Sequence, residues 1–145
     1  MTTDPVRDYL NSVLEYRMEA KRLKRKLAQL EAQATNITSQ LTGMPHGGIA
    51  DRGAVLASLA DAAKDYQWRI DRAERKELEV LDFIDSLPTA ESRTILKLRY
   101  LDCKRWPKVL AALNAGGMAM SERQMYRLHG RALQEARERY NDERS

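Results

Sequence analysis

The residues best suited to chemistry lie near the C-terminus, where arginine and glutamine recur at helical spacing. If the segment after Ser121 is a helix, then at 100° per residue one arc carries the long polar side chains Arg123, Gln124, Arg127, Arg131 and Gln134. Arginine and glutamine form bidentate hydrogen bonds with guanine and adenine edges in the major groove of DNA. From the spacing alone, a solvated helix face is an equally good interpretation.

The elements needed to position these side chains are present around them. The opposite arc of the same helix is apolar and is expected to pack, since it carries Met125, Leu128, Ala132 and Ala136. Ser121 and Gln124 form an S-x-x-Q capping box that marks the helix start. A short helix from Trp106 to Leu113, ended by Asn114–Gly117, precedes it. Two helices joined by a turn favour a helix-turn-helix over a merely solvated face.

Patterns for catalysis and metal binding are missing from the sequence. The two histidines and the single cysteine, Cys103, are far apart, and helical spacing brings together no nucleophile motif or acid–base pair. We therefore expect no enzyme activity, no catalytic residue, no metal and no cofactor. One cysteine excludes an intrachain disulfide. Since no signal-peptide or membrane-length apolar run is present, we expect a reducing cytoplasm, no membrane association and a buried Cys103 thiol.

The charge favours an anionic partner. The net charge is +4 and the sequence pI is about 9.3. Between residues 88 and 134 there are nine lysines and arginines against three acidic residues, so the excess there is larger than that of the whole chain. Basic proteins attract polyanions such as DNA, although many of them bind none.

Two long heptad patterns occupy the first 87 residues. Apolar residues alternate at spacings of four and three, first at Tyr9, Val13, Tyr16, Ala20, Leu23, Leu27, Leu30, Ala34, Ile37 and Leu41. The second run is Leu56, Leu59, Ala63, Tyr66, Ile70, Ala73, Glu77, Val80, Ile84 and Leu87, in which Glu77 is the exception. This spacing is typical of the seam of a coiled coil.

The glycine-rich stretch between the two runs permits chain reversal. Glycine and proline at about residues 42–51 stop a helix, so we expect an antiparallel coiled-coil hairpin. Heptads do not say whether the partner helix is in the same chain, and the stripes could also serve between subunits. Both arrangements together would give a dimeric four-helix bundle.

The heptad pattern ends at Pro88, where a new helix is expected with Thr89 as its N-cap and Glu91 in its first turn. The prediction is therefore an all-α chain with two domains. Residues 4–87 form the long helical hairpin, and residues 88–140 form a small helix-turn-helix domain.

The C-terminal third resembles region four of bacterial sigma factors. The residues that carry the resemblance are Leu87-Pro88, Glu91, Ile95-Leu96, Leu98-Arg99-Tyr100-Leu101, Val109, Leu113, Ser121-Glu122-Arg123-Gln124-Met125-Tyr126-Arg127-Leu128 and Ala132-Leu133. The resemblance implies that Ser121, Arg123, Gln124 and Arg127 face DNA and that Arg131 lies nearer the phosphate backbone. The turn Asn114–Met120 is several residues longer than the sigma turn.

The stretch from Thr38 to Gly48, together with this ending, resembles a phage and prophage family. That family looks related to late-gene transcriptional activators of the RinA and ArpU kind. The resemblance implies a regulator of phage genes that acts as an activator. The implied partners are double-stranded DNA, RNA polymerase and, through the coiled coil, a second copy of the chain.

The expected function is sequence-specific DNA binding in transcription regulation, in the bacterial cytoplasm and at the nucleoid when bound. Two alternatives stay open. One is a DNA-packaging protein like a terminase small subunit, which also combines a helix-turn-helix with helical oligomerisation. The other is a coiled-coil adaptor that binds protein and no DNA.

Overall fold

The computed structural model of this chain describes residues 4–43 and 49–144, and the side chains of residues 4–39 and 51–144. Within these ranges the chain is all-α, as predicted, and contains no β-strand. The helices are α1 (Pro5–Gly43), α2 (Ile49–Asp85), α3 (Ala90–Leu96), α4 (Trp106–Ala115) and α5 (Glu122–Arg144), and a π-helical turn, Lys97–Leu101, continues α3. Of the predicted turn at 42–51, residues 44–48 lie outside the described residues.

The first helix begins at a side-chain cap. The backbone N–H of Val6 donates a hydrogen bond to Asp4 Oδ1 at 3.1 Å. Pro5 is the first helical residue, where its missing N–H costs no hydrogen bond. In addition, the guanidinium of Arg137 donates to Asp4 Oδ2 at 2.8 Å and holds the pKa of that carboxyl below its usual value. The start of α1 is therefore held both by its own cap and by α5.

Both heptad seams point inward. Every seam position whose side chain is described is buried or half-buried, including Glu77. Leu14 and Leu78, each next to a seam residue in the sequence, are exposed. The heptad pattern therefore correctly identified the packing faces of α1 and α2.

The chain forms two compact units. The second unit is Arg17–Arg75, in which Leu23 and Ile70 are buried and Lys24 of α1 forms an ion pair with Glu74 of α2 at 3.0 Å. Because α1 ends at Gly43 and α2 begins at Ile49, a contact so far from the connection means that the helices fold back along each other.

The first unit is Met1–Tyr16 together with Lys76–Ser145. One hydrophobic core joins the start of α1 and the end of α2 to the C-terminal helices, with Leu10, Ile84, Ile95 and Ala132 among its buried members. The rings of Tyr9 and Phe83 meet at 5.2 Å, so α1 and α2 are antiparallel here too. The predicted boundary at 87/88 falls inside this unit, because the last apolar residues of α2 are buried in the same core as α3 and α5.

The N-terminus of α3 is capped from a distance. Thr89 occupies the predicted N-cap position, but its side chain makes no capping hydrogen bond. Instead, the Glu135 carboxylate of α5 accepts hydrogen bonds from the Thr89 backbone N–H at 3.2 Å and from the Ser92 hydroxyl. A carboxylate at a helix N-terminus satisfies an unpaired donor and interacts favourably with the helix dipole. Glu135 thus ties α5 to the start of α3.

Cys103 follows the π-helical turn, and its surroundings there differ from those expected from the sequence. The Asp102 N–H donates to Lys97 O at 2.8 Å, and the next residue, Cys103, has a positive φ of 55°. This conformation closes the helix as a glycine would. Cys103 is exposed, so the prediction of a buried thiol is wrong. The residue occupies the left-handed position at a helix end and does not enter the core.

In the part of the chain that the structure describes, no helix combines the length and the apolar character needed to cross a membrane.

Leu10 and Leu14 offer a matched test of this fold, since they lie one turn apart in α1 and are 0% and 48% exposed. We expect Leu10→Ala to lower the free energy of unfolding by about 2–5 kcal/mol, because it opens a cavity in the core of the first unit. Leu14→Ala removes the same atoms from the surface and should change it by no more than about 0.5 kcal/mol. Urea unfolding followed by circular dichroism measures both, and equal losses would contradict the described packing.

Candidate nucleic-acid interface

The connection between α4 and α5 has a defined hydrogen-bonded geometry. At the end of α4, the Met118 N–H donates to Leu113 O at 2.9 Å and the Gly117 N–H donates to Asn114 O at 3.2 Å. Gly117 has a φ of 88°, so the helix ends in a Schellman motif with glycine at the left-handed position. The predicted break at Asn114–Gly117 is therefore confirmed as a helix stop.

Side chains complete the connection. Asn114 Oδ1 accepts a hydrogen bond from the Met120 N–H at 2.8 Å, so it bridges the longer turn. The Ser121 N–H donates to Gln124 Oε1 at 2.8 Å, and the Gln124 N–H donates to Ser121 Oγ at 3.2 Å. This reciprocal pair is the predicted capping box. The start of α5 is consequently fixed by hydrogen bonds on both sides.

A cluster of aromatic side chains sets the position of α5 against α4. The ring of Trp106, the first residue of α4, meets His129 at 4.6 Å and Tyr126 at 5.2 Å, and the Arg99 guanidinium lies 4.6 Å from the same indole ring. The Tyr100 hydroxyl and His129 Nε2 are hydrogen bonded at 3.0 Å. The first turns of α4 and α5 are therefore packed together.

His129 is neutral in this cluster at neutral pH. Burial disfavours its charged form, and the positive charges of Arg7 and Arg99 add to the effect, so its pKa is lowered to about 4. This structural role of His129 was not predicted from the sequence. The one local signal was that Tyr126 and His129 are three residues apart and so lie near each other on the helix.

The outward face of α5 is polar, as the spacing predicts. Met125, Leu128, Ala132 and Ala136 are buried, while Arg123, Arg127 and Arg131 are exposed. Within the described part of the chain, none of these three arginines has an ion pair or a hydrogen-bonding side-chain partner. Later arginines of the same helix do have partners: Arg137 binds Asp4, and Arg139 forms an ion pair with Glu143.

The five predicted site residues lie between residues 121 and 131, at the start of α5. Ser121, Arg123 and Arg127 line an open groove of about 700 Å³ beside Tyr126. Gln124, Arg127 and Arg131 line a second open groove of about 830 Å³, which also contains Glu91 of α3. The three arginines thus form a connected basic face. Ser121 and Gln124 are exposed, but both are already engaged in the capping box.

Two further cations lie beside this face. Arg105 and Lys108, at the start of α4, are exposed. Their neighbour Trp106 contacts Tyr126 of α5, which places this basic end of α4 next to the start of α5. Both residues belong to the basic excess of residues 88–134, but they were not among the predicted site residues.

In the described ranges, no group of three or more His, Cys, Asp and Glu residues is arranged so that it could hold a metal ion.

Gly117 provides a test of the turn, with its neighbour as control. A Cβ at Gly117 would meet no atom within 4 Å, but the φ of 88° is unfavourable for any L side chain. We expect Gly117→Ala to lower the free energy of unfolding by about 1–2 kcal/mol. Gly116→Ala should lower the free energy of unfolding by less. Gly116 has a φ of −83°, which L residues adopt readily, and its added Cβ would be in ordinary van der Waals contact with Ala112 O at 3.4 Å. Equal effects in thermal unfolding would argue against the left-handed stop.

The pKa of His129 predicts a specific pH dependence of stability. Because the folded-state pKa is about 4 and the ordinary value is 6.5, the unfolded chain binds the proton first as the pH falls. The stability that the neutral ring contributes is complete above pH 6.5 and is lost progressively between 6.5 and about 4. We expect unfolding free energies of wild type and His129→Gln to converge over this interval. A folded-state NMR titration of His129 with a midpoint near 6.5 would contradict the prediction.

Comparison of the chain with protein-family models, with curated proteins and with solved structures gives no match. The resemblance to sigma region four and to phage activators therefore stays a prediction from the residues themselves.

Proposed function

We propose that this protein binds double-stranded DNA sequence-specifically through α4 and α5 and regulates transcription. The observation that carries the proposal is the basic face of Arg123, Arg127 and Arg131, three exposed arginines without a side-chain partner among the described residues. A row of cations that form no ion pair among the described residues favours a polyanionic ligand. Its position on the second of two helices joined by a turn, which is where a helix-turn-helix carries its recognition helix, favours the major groove.

The spacing of the arginines suits bases that lie about two pairs apart in the DNA. Four residues of α-helix rise by about 6 Å, and base pairs are stacked about 3.4 Å apart, so neighbouring arginines of the series would reach bases about two pairs apart. The guanidinium fork matches O6 and N7 of guanine. Gln124 is the weaker candidate for base contact because its Oε1 already accepts the Ser121 N–H.

The start of α4 supplies candidate contacts to phosphate. Arg105 and Lys108 lie beside the first turn of α5 and would meet the backbone next to the groove that α5 enters, while Arg131 extends the basic face further along α5. Contacts to phosphate add affinity and position the protein but carry no sequence information. They make binding dependent on salt, because each neutralised phosphate releases counterions.

The biological role proposed with this mechanism is activation of phage or prophage genes, with RNA polymerase and a second copy of the chain as further partners. It rests on the resemblance of the C-terminal third to sigma region four and of the chain to phage regulators. DNA packaging stays the alternative that uses the same DNA-binding face.

One observation favours the protein-adaptor alternative. Large apolar side chains are exposed on the long helices, notably Met18 (63%) and Trp68 (55%). Exposed apolar residues mark protein contacts only where they form a continuous patch, and single ones are common on any surface. DNA binding is therefore the first property to measure.

The test compares two double variants that each lower the net charge by two. Arg123→Ala with Arg127→Ala removes two of the three arginines of the basic face, whereas Arg25→Ala with Arg75→Ala removes exposed arginines of the second unit. Duplexes are first selected from a randomised library with the wild type, and the variants are then titrated against the selected sequence. We expect the first variant to bind about tenfold more weakly or worse, because each bidentate base contact contributes about 1–3 kcal/mol of discrimination.

The control variant should keep its preference for the selected sequence and lose affinity in a salt-dependent way at most. If both variants lost the same affinity for the selected duplex, the binding would be explained by general charge attraction. If the wild type selects no sequence and binds no duplex at low salt, the adaptor alternative takes the place of the DNA-binding proposal.

A further inference from the structure

Gly130 lies inside α5, a helix that runs from Glu122 to Arg144. Glycine at such a position destabilises a helix relative to alanine, because it loses more backbone freedom on folding. Two common reasons for a glycine inside a helix are a special backbone conformation and close packing against another part of the protein.

Neither reason applies to Gly130 within the described structure. Its φ is not positive, since Gly117 is the glycine with a positive φ in the described ranges. A Cβ added to Gly130 would meet no atom within 4 Å, so nothing in the described fold packs against it. The residue is exposed. The intramolecular structure would therefore accept alanine at this position.

The position of Gly130 on α5 suggests a different reason for a glycine inside this helix. It follows Arg127 by three residues and precedes Gln134 by four, so the three residues lie along one line of the outward face. Gly130 also borders the groove of about 830 Å³ that Arg127 and Arg131 line. The backbone of α5 is thus without a side chain at the edge of the basic face, next to the long side chains of Arg127 and Gln134.

We propose that Gly130 is the point where the backbone of α5 comes closest to the DNA, so that the missing Cβ lets the helix enter the groove deeply enough for its arginines to reach the bases. This inference rests on the proposed DNA binding. Glycine serves in this way wherever a backbone must approach a ligand closely. A methyl group at this point would hold the whole helix further from the floor of the groove. The distances from the neighbouring arginines to the bases would then all increase.

The chain offers a matched control in Gly53. It is also helical and exposed, and a Cβ there would likewise meet nothing within 4 Å. It differs in lying near the start of α2, in the second unit. Gly53→Ala and Gly130→Ala are therefore the same chemical change in similar local surroundings, and only the second is on α5.

The experiment measures melting temperature and DNA binding of the full chain and of both variants. We expect both substitutions to raise the melting temperature. Gly130→Ala alone should weaken binding to the library-selected duplex, by about tenfold or more if base contacts are lost. Binding to an unrelated duplex at low salt, which depends on phosphate, should change little. Gly130→Gln, a longer side chain with good helix propensity, should weaken selective binding further.

The outcomes separate this inference from the proposed function. If the wild type binds its selected duplex and the Arg123/Arg127 variant does not, but Gly130→Ala binds as well as the wild type, the close-approach role is wrong and the DNA-binding proposal stands. If the wild type binds no duplex, both are overturned. A lower melting temperature for Gly130→Ala would also overturn the inference, because it would reveal a structural need for glycine.

Discussion

The burial of one face of α5 is the constraint on which the arrangement of the candidate site depends. Met125, Leu128, Ala132 and Ala136 enter the core of the first unit together with residues of α1, α2 and α3. A helix has no freedom to rotate once four residues of one stripe are buried. The outward direction of Arg123 and Arg127 therefore follows from the packing of their apolar neighbours and needs no interaction of their own.

Polar contacts from the same helix hold two other helix starts. Glu135 accepts hydrogen bonds at the N-terminus of α3, and Arg137 donates to Asp4, the cap of α1. Both contacts are made by residues of α5 that lie C-terminal to the basic face. One end of the helix thus organises the fold of the first unit, while the other end keeps its cations available to a ligand.

The features that the sequence predicted well are those encoded by local patterns. The heptad seams, the Ser121–Gln124 box and the two arcs of α5 depend on residues within a few turns of one another, where helical geometry fixes the outcome. The features that were missed join distant residues. Glu135 lies 46 residues from Thr89, and Tyr100 lies 29 residues from His129. No spacing rule connects such pairs, because tertiary packing brings them together. Cys103 was missed for a related reason, since its type says nothing about the positive φ that the helix end requires there.

The two tryptophans give each compact unit its own optical reporter. Trp106 lies in the first unit, packed between Arg99, Tyr126 and His129, whereas Trp68 lies in the second unit and is 55% exposed, with the Arg72 guanidinium 5.7 Å from its ring. Indole emission shifts with the polarity of its surroundings, so the packed and the exposed ring emit differently. A chain that retains one tryptophan and carries phenylalanine in place of the other would report the melting of one unit without a contribution from its neighbour. The distribution of two aromatic residues thus makes the cooperativity between the units directly observable by fluorescence.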